Sequence, residues 1–98
     1  MNYSFHRDAA MIGQDRGMRL CKEGKTIEEL TEGISLLQRS VDAAPDFAKD
    51  SHYIWLANAN REMKNKPEEI KWLQKAFDKS GSMAVKERLQ RTLSNNDY

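Results

Sequence analysis

The side chains best suited to chemistry are few and poorly clustered along the chain. His6 and His52 stand 46 residues apart, and neither opens a run with ligand spacing, so no metal and no cofactor is expected. Cys21 is the single cysteine. It has no evident base beside it to draw off its proton, which argues against nucleophilic catalysis and assigns the thiol to packing. The pairs Glu28-Glu29 and Glu68-Glu69 have the residue type for general acid and base work. Both stand where a helix begins, however, and capping and the helix dipole account for them. No glycine-rich phosphate loop and no Ser-His-Asp order is present. An enzyme would need polar groups to converge from separated positions, for instance His52 with Asp50 or Glu62 in a closed pocket. A non-enzymatic role is the expectation.

Composition narrows the remaining classes. Ninety-eight residues make one domain, which buries roughly 65% of the surface its unfolded chain exposes. Sixteen basic and fifteen acidic residues are interspersed and leave a net charge of +1, so no strong field is directed at nucleic acid or anionic lipid. Lys86, Arg88 and Arg91 share one helix, and three basic residues there are also what a solvated helix face shows. One cysteine allows no internal disulfide, nothing near the start reads as a secretory signal, and the apolar runs are far short of the roughly 20 residues that span a bilayer. A cytoplasmic location without a membrane span is expected.

The elements that must position any site are helical throughout, since the alternation of a half-buried strand never persists. Five helices are predicted. The first starts with Ser4 as N-cap, carries Phe5, Ala9, Ile12, Gly13, Gly17, Leu20 and Cys21 on one stripe, and ends at Gly24 in a left-handed conformation. Thr26 to Glu29 form a capping box for the second, whose seam is Leu30, Ile34, Leu37 and Val41 before Pro45 closes the hairpin. Asp46 is the expected cap of a third helix from about Phe47, with Tyr53, Leu56, Ala57, Asn60 and Met63 on its buried face. Pro67 fits the first turn of the fourth, whose seam is Ile70, Leu73, Ala76 and Phe77. Ser82, after Gly81, caps a last helix with Met83, Val85, Leu89 and Leu93, polar enough outside to end a stack. Residues 95–98 form a tail.

One segment is duplicated. Glu32 to Asp42 (EGISLLQRSVD) recurs without a gap as Glu68 to Asp78 (EEIKWLQKAFD), a period of 36 residues. Each exchange keeps the character of its position, as with Arg39 and Lys75, Ser40 and Ala76, or Val41 and Phe77. Self-similarity at this period marks stacked helical hairpins. Gly13, Gly17 and Cys21 add a ladder of small residues that Gly33 can face, which lets the first two helices approach closely. Trp72 corresponds to Leu36, and Trp55 and Trp72 both lie off the seams; packing between units or onto the last helix is expected of them.

This pattern resembles the tetratricopeptide repeat, W-x2-L-G-x2-Y, then A-x3-F, then P. One unit reads Gly17-x2-Leu20-Cys21-x2-Gly24, then Gly33-x3-Leu37, Ser40 and Pro45; the other reads Tyr53-x2-Leu56-Ala57-x2-Asn60, then Glu69-x3-Leu73 and Ala76. Two aromatic positions are lost and the linker is two residues longer. The order of segments is also similar to the cytosolic domain of tail-anchored mitochondrial fission adaptors, with no counterpart of their membrane tail in these residues. The resemblance implies an all-α fold of two TPR-like antiparallel hairpins (about 4–45 and 46–81) and a capping helix (about 82–94), a short right-handed α-solenoid.

It also implies where a partner binds. In such domains the first helix of each unit lines a concave groove, which here points to Met18 and Lys22 in one unit and Ile54, Asn58 and Arg61 in the other, with Arg88 or Arg91 contributed by the last helix. These residues suit a peptide or helix bearing carboxylates. The competing reading of Lys22, Arg61 and Arg91 is a solvated helix face. The expected function is a protein-protein interaction module, adaptor, chaperone-like or regulatory. The alternative is self-association, because two repeats are fewer than such stacks usually need and a second copy can complete their ends.

Overall fold

The computed structural model describes residues 14–94, and the expectations placed on Ser4, Phe5, Ala9, Ile12, Gly13 and the tail fall outside them. Among the described residues the protein is all-α, with five α-helices and no strand. They are α1 (helical over 14–23), α2 (Ile27–Ala43), α3 (Asp50–Glu62), α4 (Lys66–Ser80) and α5 (Met83–Ser94), with a short 3-10 turn at Pro45–Phe47. The chain divides into two compact units between Ala48 and Lys49. No described helix is long and apolar enough to cross a membrane.

The first unit is held by glycines. A methyl group on Gly17 would lie 2.6 Å from the backbone nitrogen of Leu37, and one on Gly33 would lie 2.8 Å from Leu20 Cβ and 2.9 Å from Cys21 N. Positions thus rise along α1 as they fall along α2, so the two helices run antiparallel with their backbones in near contact. The small-residue ladder serves this approach, and Gly17, Cys21, Gly33, Leu37, Ser40 and Val41 are buried. Arg16 Nη2 also pairs with Glu32 Oε1 at 2.8 Å across the outside. Gly24 departs from expectation. It has no left-handed backbone, and it ends α1 through its N–H, which donates to Leu20 O at 2.8 Å.

The caps follow short-range chemistry. Thr26 Oγ1 accepts from Glu29 N–H at 3.1 Å, and Glu29 Oε1 accepts from Lys25 N–H at 3.2 Å, so the capping box reaches one residue further back than expected. Asp46 does not cap α3. The 3-10 turn closes first, with Ala48 N–H donating to Pro45 O, and α3 begins at Asp50 with Lys49 as its N-cap. There the Lys49 N–H donates to His52 Nδ1 at 2.9 Å, so a buried histidine inside the helix reaches back to cap its start, in place of an aspartate reaching forward.

In the second unit α3 packs on α4 and α4 on α5. The turn between α3 and α4 is a Schellman motif: Asn65 N–H donates to Asn60 O at 2.8 Å and Lys64 N–H to Arg61 O at 3.0 Å. It places Lys64 at φ 57, a backbone conformation that opposes a Cβ. Replacing Lys64 by Gly is expected to raise stability by roughly 1 kcal/mol, read as a higher urea midpoint with an unchanged slope. Pro67 sits in the first turn of α4, and Asn65 caps it.

The buried stripe of α4 is Glu69, Trp72, Leu73 and Ala76, rotated from the expected seam, with Ile70 and Phe77 only half-buried. Trp72 is completely buried and stacks on Tyr53 of α3, ring centroids 5.8 Å apart and planes 13° from parallel. Its partner is therefore the neighbouring helix of its own hairpin. On α3, Tyr53, Leu56, Ala57 and Asn60 are buried as expected, whereas Met63 is half-buried. Asn60 satisfies its amide by donating to Leu56 O at 2.9 Å.

Candidate functional site

The duplicated segment places a glycine and a glutamate at equivalent positions, Gly33 in α2 and Glu69 in α4. Both are buried, but the consequences are opposite. Gly33 admits a neighbouring backbone, while Glu69 brings a carboxylate with no exposed surface into the three-helix unit. A buried carboxylate requires charge compensation. Arg88 Nη2 of α5 lies 3.5 Å from Glu69 Oε2, Arg61 Nη1 of α3 lies 3.7 Å from the same oxygen, and Thr92 Oγ1 of α5, whose one proton is shared with the closer Arg88 O, lies 3.4 Å from it. The Thr92 hydroxyl is also 3.0 Å from Arg88 O. Glu69 Oε1 and, one helical turn along, Trp72 Nε1 are buried without hydrogen-bond partners among the described residues.

At 3.4–3.7 Å these contacts are loose for hydrogen bonds and act mainly through charge. Two guanidinium groups approach one carboxylate oxygen. The Arg61 side chain is 54% exposed and that of Arg88 is 24% exposed, so the cluster runs from the buried carboxylate to the surface of the unit.

The residues expected to face a partner are distributed as follows. Ile54, Asn58 and Arg61 follow one another at helical spacing on α3, the first two half-buried and Arg61 exposed. Arg61 and Arg88 come together through Glu69. Arg91 does not join them; it is exposed and, with Glu87, Gln90 and Ser94, lines an open depression of about 360 Å³ on α5. Met18 and Lys22 belong to α1 in the first unit, half-buried and exposed respectively. Arg61 and Arg88 are thus neither a plain solvated face nor an unengaged clamp, and the acidic pair at the start of α4 splits. Glu68 stays at the helix start, its N–H facing Asn65 Oδ1 and its carboxylate 3.7 Å from Lys71. Glu69 turns inward. Thr92 and Glu69 were invisible as a site because they come from different helices; the available signal was a charged residue in a seam register that its duplicate fills with glycine.

The reactive side chains are put to structural use. His52 caps α3. Cys21 is 5% exposed, and burial pushes its thiol up from 9.0 to about 12. The folded state therefore holds a neutral thiol that the unfolded chain ionises at lower pH. This contribution to stability is complete below about pH 9 and declines as pH rises from there toward about 12. At neutral pH Cys21 is expected to resist iodoacetamide until the chain unfolds, checked by mass spectrometry with and without denaturant; prompt labelling of the native protein contradicts its placement in the core. Among the described residues no three His, Cys, Asp or Glu side chains gather where they could hold a metal ion. No protein-family model matches the chain, nor does any curated protein sequence or solved structure.

Proposed function

We propose that this protein is a non-enzymatic interaction module of TPR-like helical hairpins, an adaptor or regulatory partner that holds an acidic peptide or helix against the face of α3 that carries Ile54, Asn58 and Arg61. The observation that carries this reading is the meeting of two guanidinium groups, Arg61 and Arg88, at Glu69, with the exposed Arg61 on the same face of α3 as the half-buried Ile54 and Asn58. Glu69 holds the guanidinium groups in place before a partner arrives, which lowers the ordering cost of binding. A carboxylate approaching them gains charge-assisted hydrogen bonds, Asn58 offers an amide, and Ile54 offers apolar contact. The use of His52 as a cap and of Cys21 as a packed neutral thiol supports a binding rather than a catalytic role.

The test is selection from a random peptide library followed by affinity measurement. Selected peptides are expected to be rich in Asp and Glu next to an aliphatic residue. Ile54→Ala combined with Asn58→Ala is expected to weaken their binding about tenfold, the scale of one or two lost interface contacts, with unchanged helical circular dichroism. These two positions are chosen because Arg61 also compensates Glu69. Peptides without acidic enrichment, or affinity unchanged in the double variant, would sink the assignment.

A further inference from the structure

We propose that two copies of this chain pair by exchanging their α5 helices across a hinge at Gly81 and Ser82, with α4 and α5 running on as one helix in each copy. The reversal between these helices is only two residues long and depends on Gly81, whose backbone is left-handed at φ 65. A side chain there would meet nothing within 4 Å, so a substitution at Gly81 acts on the hinge through backbone conformation and not through a clash. Ser80, Ser82, Met83 and Ala84 include no proline, and nothing in this stretch forbids a continuous helix. In the closed turn Gly81 N–H donates to Phe77 O, and Ser82 N–H turns to the Ser80 hydroxyl. A continuous helix instead gives the N–H groups of Ser82 to Val85 the carbonyls of Asp78 to Gly81.

What α5 brings to α4 can come equally from another copy. Val85, Leu89 and Thr92 are its buried residues, and Arg88 and Thr92 reach Glu69. Exchange therefore retains the packing and the charge compensation, and the closing cost is that of bringing two chains together. Glu69 also disfavours a state in which α5 is merely released, because its carboxylate would lose Arg88. Met83 and Leu93, near opposite ends of α5, are 62% and 57% exposed and offer apolar surface that a second chain can cover. A very short connection is the setting in which such exchange occurs. The exchanged pair carries two α3 faces and would bind a partner with two acidic segments more tightly than one copy does.

The decisive variant is Gly81→Ala in the full chain. Alanine is disfavoured in the left-handed turn and favoured in a helix, together about thirtyfold or more per hinge, so the dimerisation constant should rise about a thousandfold. Sedimentation equilibrium from micromolar to millimolar protein reads this, and hydrogen exchange of Ser82 to Val85 should slow in the dimer. Inserting Gly-Ser-Gly after Gly81 should return the variant to monomer, because a longer connection lets α5 fold back without strain. Should Gly81→Ala fail to fold, the same comparison is made on the wild-type sequence refolded at millimolar concentration, with and without the insertion. Monomer throughout overturns the proposal. A dimer that survives the insertion, or that leaves exchange at Ser82 to Val85 unchanged, also overturns it, since the copies then pair without trading helices.

Discussion

Replacing Arg61 and Arg88 together by Ala is expected to lower the unfolding free energy by about 3 kcal/mol or more, a fall in Tm of roughly 12 °C or more for a domain of this size. The reason is asymmetry of burial. Glu69 is completely buried and cannot reach water, whereas Arg61 and Arg88 are partly exposed. Removing the arginines leaves a completely buried carboxylate without the two cations that approach it among the described residues. Removing the carboxylate instead leaves two guanidinium groups free to turn outward. Glu69→Gln should therefore cost much less, about 1 kcal/mol, the scale of an altered hydrogen bond. Adding Glu69→Leu to the double arginine variant should restore most of the loss, because an apolar side chain needs no compensation. With Glu69→Leu alone as the fourth corner, the double and triple variants form a cycle. A double arginine variant as stable as wild type would show that Glu69 is not the buried charge on which α3, α4 and α5 converge.

Gly17→Ala is expected to destabilise the first unit by roughly 1–3 kcal/mol, the usual cost of forcing atoms into a packed interface. Local rules point the other way: alanine in a helix interior is better than glycine by about 1 kcal/mol. The sign therefore separates the two effects. At Gly17 the added methyl lies 2.6 Å from Leu37 N and 2.9 Å from Leu37 Cα, both backbone atoms that cannot rotate away, so α1 and α2 must move apart. The same substitution at Gly33 meets Leu20 Cβ at 2.8 Å and Cys21 N at 2.9 Å, and the same sign is expected there. Chemical denaturation of each variant checks this. A stabilised Gly17→Ala protein would mean that the helices are not in near contact.

The all-α class, the helix caps and the close packing of the first two helices could be read from residue order. Each depends on neighbours three or four positions away, or on a ladder of small residues with few uses other than close packing. Thr26 with Glu29, Pro67 at the start of α4 and Gly81 at its end are of this kind. Where one local signal competed with another, the reading failed. Asp46 has the side chain of a cap, but the 3-10 turn begun by Pro45 absorbs it and moves the start of α3 to Asp50. Ile70 and Phe77 have the hydrophobicity of a seam, but Trp72 and Glu69 occupy it.

The sequence by itself determined that the chain is helical, where most helices start and stop, and that two segments are copies of one plan. Those properties rest on backbone hydrogen bonding and periodicity within a few residues, which travel with the local sequence. Only the tertiary structure decided what the copies do. The register that holds Gly33 in one unit holds Glu69 in the other, and that carboxylate draws in Arg61 from before it and Arg88 and Thr92 from after it. Such convergence has no spacing signature, because it is set by the packing of three helices. Arg61 and Arg88, which the sequence offers as partner-facing residues from separate helices, thereby meet at one buried carboxylate.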